Sequence, residues 1–287
     1  MAENVFLNGK YCKSEEALVS IEDRGFIFGD GVYEVMRCYK GNLFEIEEHL
    51  LRLERSASRI ALPLPYSGGE IGDICNNLVQ KSKARDAILY LQVTRGIAPR
   101  VHHFPSSISP TVMMKVYEID EKEVLERKNG VKAISLPDER WDNCDIKCIN
   151  LLPNVLAKEK ARSEGAYEAI FVGSEGVSEC ASSNVFCVSE GTVFTAPLGK
   201  KILAGISRGA VLKLAQEQGI EVELSYPSLA LLQSAEEIFI TNTVDEVTPV
   251  TDLDGKTVGK GKAGPVTLRL QESFREMVYD FLGAQKG

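Results

Sequence analysis

The sequence predicts an α+β fold in two domains. Three observations carry that expectation. Strand-like runs and amphipathic helices alternate along the whole chain, no segment repeats or falls to low complexity, and one strongly charged stretch divides the chain unequally. With 287 residues, 44% of them hydrophobic, there is apolar material for one large core or two unequal ones.

Val5-Phe6-Leu7-Asn8-Gly9-Lys10 reads as a strand entering a turn. Residues 32–39 form a second strand, and Lys40-Gly41-Asn42 returns it to Leu43-Phe44 as a hairpin. Over residues 45–60, Ile46, Leu50, Leu53, Ala57 and Ile60 recur at helical spacing, and Pro63 and Pro65 close the helix. Residues 71–83 form a second amphipathic helix, while 87–93 and 111–117 are apolar, β-rich runs suited to a sheet. These elements make up a smaller N-terminal α/β domain, residues 1–118.

Residues 118–129 are charged almost throughout, the pattern of a solvated connector or exposed helix, so 119–130 is taken as the crossing to a larger C-terminal domain, 131–287. There, strands at 131–136, 168–172, 185–189 and 237–241 are interleaved with helices. Residues 154–164 follow Pro153 and end at Gly165, 207–218 follow Gly205 and stop at Gly219, and 265–282 form the last long helix.

The formal charge of −8 argues against nucleic acid or an anionic membrane as the main partner. It leaves an anionic small substrate open, because a few arginines and helix N-termini dominate the field inside a pocket. Residues 1–10 lack the apolar run of a secretory signal, no later stretch is long enough to span a bilayer, and a cytoplasmic location is expected. Seven scattered cysteines read as reduced thiols. No metal site is expected: His49, His102 and His103 are the only histidines, and neither they nor Cys144 and Cys148 have the separation of a common zinc site.

Five segments carry candidate chemistry. Lys147, in Asp145-Ile146-Lys147-Cys148-Ile149, sits among alternating apolar residues where a strand would turn it to one face; in a dry pocket its amine would be partly neutral and able to form an imine. A lysine on an exposed edge strand gives the same pattern. Glu179, in Ser178-Glu179-Cys180-Ala181-Ser182-Ser183-Asn184, enters an apolar strand and suits a buried acid, or a turn capped by its own Ser and Asn. Leu203-Ala204-Gly205-Ile206-Ser207 opens a helix, and a helix start is either an ordinary cap or an anion site; Thr243, just after the apolar run 238–240, could serve the same anion. Arg52 lies one turn from His49 and either reaches such an anion or pairs with Glu48 or Glu45. Arg100 and His102, two apart in an extended loop, would point the same way and could clamp a carboxylate, or could simply be solvated.

Taken in order, these segments resemble the fold-type IV enzymes that use pyridoxal 5′-phosphate (PLP), a group holding D-amino-acid aminotransferases, branched-chain aminotransferases and aminodeoxychorismate lyases. Asp23-Arg24-Gly25-Phe26-Ile27-Phe28-Gly29-Asp30-Gly31-Val32-Tyr33-Glu34 is similar to the family's N-terminal motif, residues 144–150 to its lysine strand and 179–186 to its glutamate strand. The stretch 90–96 followed by Arg100-Val101-His102 is similar to the D-amino-acid aminotransferases in particular. The resemblance implies the two-domain fold-type IV architecture with PLP in the C-terminal domain, Lys147 as Schiff-base lysine and general acid/base, and Glu179 against the pyridinium. It further implies Arg52, Ile206, Ser207 and Thr243 at the phosphate, Leu203 on the cofactor ring, and Tyr33, Arg100 and His102 as the carboxylate trap. In that subfamily the Arg-x-His pair reaches in from the neighbouring subunit, so a homodimer is implied. The expected activity is transamination between a small D-amino acid, of the D-alanine or D-glutamate type, and a 2-oxo acid.

Three departures from the pattern stand out: Cys180-Ala181 in place of Gly-Ser, Val244 in place of a second threonine, and Arg37, the residue type of branched-chain aminotransferases. The last keeps an L-branched-chain aminotransferase as the nearest competitor, ahead of an aminodeoxychorismate lyase or a non-catalytic binding protein.

Overall fold

The computed structural model describes residues 4–285, which divide into two compact units. The first comprises the residues up to 119 together with 146–150 and the end of the chain from 281; the second comprises 120–145 and 151–280.

The first unit contains β1 (Val5–Leu7), β2 (Lys10–Cys12), α1 (Arg24–Phe28), β3 (Gly31–Tyr39), β4 (Asn42–Leu43), α2 (Ile46–Arg59), α3 (Gly68–Ser82), β5 (Ala87–Thr94) and β6 (Thr111–Glu118). The six strands form one antiparallel sheet in the order β2-β1-β6-β5-β3-β4. Strand β3 pairs with β5 over its length, from Gly31 opposite Thr94 to Cys38 opposite Ala87. Side chains alternate across a strand, so Val32, Met36 and Cys38 enter one core with Leu50, Leu53 and Ala57 of α2 and Ile71, Cys75 and Leu78 of α3. Glu34 shares that alternation and is fully buried; Tyr33 and Val35 belong to the other face. Helix α3 starts at Gly68, three residues before the first apolar position, because Ser67 and Glu70 form a reciprocal capping box.

Residues 146–150 also belong to this unit. Tyr33 N donates to Lys147 O (2.9 Å), Ile149 N to Gly31 O (3.2 Å), and Ile146 and Cys148 are buried in the same core.

The second unit contains α4 (Glu121–Arg127), β7 (Val131–Pro137), α5 (Leu152–Ser163), β8 (Glu168–Val172), β9 (Val177–Cys180), β10 (Asn184–Ser189), β11 (Thr192–Thr195), α6 (Ile206–Glu217), β12 (Val222–Leu224), α7 (Leu229–Ser234), β13 (Glu237–Asn242), β14 (Glu246–Leu253), β15 (Lys256–Thr257) and α8 (Pro265–Ala284), the last extending to the residues from 281 on that count with the first unit. Its nine-stranded sheet runs β12-β11-β10-β13-β14-β7-β8-β9, with β15 on β14. The sheet is mixed: β7 is parallel to both β14 and β8, and β11 is parallel to β12, while the remaining pairs are antiparallel. Pro249 lies inside β14, where a proline argues against a central strand; it pairs with Phe239 of β13, and the ladder to β7 begins one residue later at Val250. The charged run forms helix α4, capped by Asp120, and Arg127 and Lys128 pair with Asp245 (2.8 Å) and Glu246 (2.5 Å). Among the described residues no helix is long and apolar enough to cross a membrane.

Candidate active site

In the first unit, Lys147 is not on a regular strand. Cys148 N donates to Ile146 O at 2.8 Å, an i→i+2 hydrogen bond that makes Lys147 the centre of a γ-turn, with one isolated bridge from Val32 to Cys148 beside it. Alternation among apolar neighbours suggested a strand because Ile146 and Cys148 are indeed both buried, but the turn between them sets the lysine apart. Its backbone is held on both sides: its carbonyl accepts from Tyr33, and its N–H donates to the buried Ser56 Oγ of α2 (3.1 Å). The side-chain nitrogen lies 4.2 Å from the centroid of the Tyr33 ring, which is itself stacked on Tyr90 at 5.7 Å.

Arg52 is buried and turned toward β3. Its Nε and Nη2 donate to the two oxygens of Glu34 on β3 (2.7 and 2.8 Å), and His49 Nδ1 contacts Glu34 Oε2 at 2.8 Å. Burial alone would raise the Glu34 pKa, but the charge and hydrogen bonds of Arg52, with those of His49, bring it down to about 2. Burial lowers the His49 pKa; Glu34 opposes that shift, whereas the charges of Arg52 and Lys147 add to it. On β3, Arg37 is buried with its guanidinium 5.0 Å from the Tyr39 ring, and its Nε and Nη1 find no hydrogen-bond partner among the described residues.

Arg100 and His102 meet on one aromatic ring. The Arg100 guanidinium is 5.4 Å and the His102 imidazole 5.5 Å from the centroid of Phe28, at the end of α1. Both are exposed.

In the second unit, Glu179 is buried on β9. Arg140 Nη1 donates to its Oε1 (2.5 Å), and Asn184 Nδ2 and Leu203 N both donate to its Oε2 (3.0 Å each). Arg140 is shared: its Nε and Nη2 donate to Asp138 at 3.0 and 2.8 Å. Burial pushes the Glu179 pKa up to about 7 against the pull of Arg140, and the Asp138 charge adds to the rise. Helix α6 opens at Gly205 with no side-chain cap. A Cβ at Gly205 would lie 2.0 Å from Asn184 Oδ1, so glycine is required there if Asn184 is to hold Glu179. Ser207 Oγ donates to Asn242 O (3.0 Å), tying the start of α6 to the β13–β14 turn that carries Thr243. The Asn242 side chain takes up the N–H groups of Val244 (2.8 Å) and Asp245 (2.7 Å) in that turn.

The class IV aminotransferase family pattern matches residues 31–253. The chain belongs to the class IV aminotransferases. This aminotransferase is 43% identical over 274 residues to a D-alanine aminotransferase of Bacillus licheniformis, covering 96% of each chain. It is 42% identical to a D-alanine aminotransferase of Staphylococcus haemolyticus, covering 96% of this chain and 97% of that one. Among solved structures it is similar to the branched-chain amino acid aminotransferase of Escherichia coli, with a TM-score of 0.89 and 30% identity over 96% of this chain and 94% of that one. A branched-chain aminotransferase from Thermoproteus uzoniensis, solved with norvaline, gives a TM-score of 0.87 at 27% identity, covering 97% and 95%.

Reasoning from sequence missed the partners of this aminotransferase's candidate residues: Glu34 for Arg52, and Arg140, Asp138 and Asn184 for Glu179. The only local signal was Glu34 among the apolar residues of β3, a charge at a core-facing position of a strand that demands a buried cation. Asp138-Glu139-Arg140 looks like any polar loop until the chain folds.

Proposed function

We propose that this chain is a PLP-dependent D-amino-acid transaminase that moves the amino group between a small D-amino acid, such as D-alanine or D-glutamate, and a 2-oxo acid. The observation that carries this reading is that Arg100 and His102 both lie against Phe28, which supports reading the guanidinium and the imidazole as a two-pronged carboxylate clamp. The full-length likeness to D-alanine aminotransferases supports it, and so do the residues a PLP molecule needs.

Two features of the second unit fit that cofactor. Helix α6 starts without a side-chain cap, which suits a phosphate received by the N–H groups of Ile206, Ser207 and Thr243. Glu179 is a buried acid whose arginine is shared with another carboxylate, which suits a cationic ring nitrogen. We assign Arg52 to the phosphate as well, its charge offset by Glu34, and Leu203 to the face of the ring. When bound, PLP supplies an aldehyde that captures amino groups and a ring that withdraws electrons from the substrate Cα. Lys147 serves as its covalent anchor and as the base that takes the proton from Cα. Tyr33, Arg100 and His102 hold the substrate carboxylate and thereby decide which enantiomer aims its Cα–H at the lysine.

Arg100 and His102 act, in this reading, on the neighbouring subunit of a homodimer in the cytoplasm. Support comes from the apolar side chains exposed around them. Segments 18–28 and 96–104, tied by Arg24 N to Gly96 O and Ala98 N to Glu22 O, expose Leu18, Ile21, Phe26, Ile97 and Phe104.

Substituting Lys147→Ala is expected to abolish transamination and the visible absorbance of the purified protein; retained turnover would end the assignment. Supplying D-alanine and L-leucine separately as amino donors to 2-oxoglutarate separates this reading from a branched-chain aminotransferase, and faster turnover of L-leucine would reverse it.

A further inference from the structure

We propose that Arg24 is the positioning residue of the carboxylate clamp, a role that rests on the reading of Arg100 and His102 given above. Arg24 is 3% exposed, although it opens a short helix between loops. Its Nε donates to Asp30 (2.8 Å), its Nη1 to the carbonyls of Val101 (2.7 Å) and His103 (3.5 Å), and its Nη2 to that of His102 (3.4 Å). One guanidinium therefore holds the three consecutive carbonyls that follow Arg100. The same group lies 4.8 Å from the centroid of Phe28, the ring on which Arg100 and His102 converge.

The loop needs such a fixture. Between Pro99 and Ile108 it has no regular secondary structure, and its internal bonds are a tight turn closed by Val101 N on Pro99 O (2.8 Å) and a contact from His103 Nδ1 to Phe104 O (3.1 Å). A loop this poorly bonded samples many backbone states, and a clamp on it loses affinity in proportion.

Arg24 is anchored in turn. Asp30 also accepts from Arg95 Nε (2.9 Å), and Arg95 donates to the carbonyls of Ile60 (2.8 Å) and Ala61 (2.9 Å) at the end of α2. A continuous hydrogen-bonded chain thus runs from α2 through Arg95, Asp30 and Arg24 to the backbone of residues 101–103. A lysine at position 24 would keep the charge beside Asp30 but lacks the planar set of donors that reaches three carbonyls at once.

The test is a double-mutant cycle on the holoenzyme with D-alanine as donor. In R24K, KM for D-alanine is expected to rise about tenfold to a hundredfold, with kcat changed far less and the visible spectrum and Tm kept. In the R100A background the same substitution is expected to have no further effect, because the clamp it orients is already gone. An R24K penalty that persists in full on R100A, or an R24K enzyme with unchanged KM beside an impaired R100A, overturns the positioning role and leaves the clamp standing. An R100A enzyme with unchanged kcat/KM overturns the clamp, and the positioning role with it. Should R24K fold poorly, R24Q goes through the same cycle. Failure of both to fold would make Arg24 a residue of the core and reject the proposal.

Discussion

Glu34 in the first unit and Glu179 in the second are both carboxylates buried against an arginine, yet one is held at a pKa of about 2 and the other at about 7. The difference lies in how each arginine is shared. Arg52 gives hydrogen bonds to both oxygens of Glu34, with His49 beside them. Arg140 reaches Glu179 through one nitrogen and commits two others to Asp138, whose negative charge works against ionisation of Glu179. Glu34 is thus a neutralised pair that binds β3 to α2. Glu179 is short of positive charge, the condition under which a cationic ligand atom gains most from meeting it.

The largest expected effect tests the neutralised pair. Glu34→Gln leaves the Arg52 charge buried without its counterion and should cost about 3–5 kcal/mol of stability, read as a fall in the urea midpoint of unfolding. A loss below about 1 kcal/mol would make the pair dispensable. Next comes Glu179→Gln, which should lower kcat/KM about a hundredfold to a thousandfold, roughly 3–4 kcal/mol, while leaving the fold intact by circular dichroism. If stability fell instead and turnover held, the roles of the two glutamates would have to be exchanged.

Acid and neutral pH should separate the two further. Because the folded-state pKa of Glu34 is depressed, its contribution is complete above about 4.5 and is lost as pH falls toward about 2, amounting to about 3 kcal/mol. The folded-state pKa of Glu179 is raised, so the cofactor-free protein should lose stability as pH rises from about 4.5 to about 7, by about 3 kcal/mol at most. Urea titrations at several pH values would show both slopes, and each should flatten only in its own Gln variant. The smallest effect belongs to Asp138→Asn, which removes the rival for Arg140. The Glu179 titration midpoint should then move down by roughly one unit, seen by carboxyl NMR on the cofactor-free protein.

How much of this was legible in the sequence follows from how local each feature is. Helix α2 and strands β3 and β5 could be read because their apolar positions repeat at 3.6 or 2 residues over several turns or pleats. Strand β14 was missed because Pro249 lies within it. Lys147 was singled out, but its γ-turn was not, since a turn closed by one backbone hydrogen bond leaves no periodic mark. Glu179 was singled out without Arg140, which is 39 residues away along the chain, because such pairing depends on the fold. The link between Arg24 and the 101–103 carbonyls spans 77 to 79 residues and was invisible for the same reason.

The placement of residues 146–150 has a consequence for how the chain is made. Ile146 and Cys148 complete an apolar core whose other buried members all precede residue 120, and the carbonyl of Lys147 caps an amide of β3. A nascent chain that has left the ribosome only as far as residue 119 has neither. During translation the first unit therefore gains these two core residues only after residue 150 has emerged and its last residues, from 281 on, later still, and a gene fragment stopped at residue 119 should yield a product less stable than the same unit within the full chain.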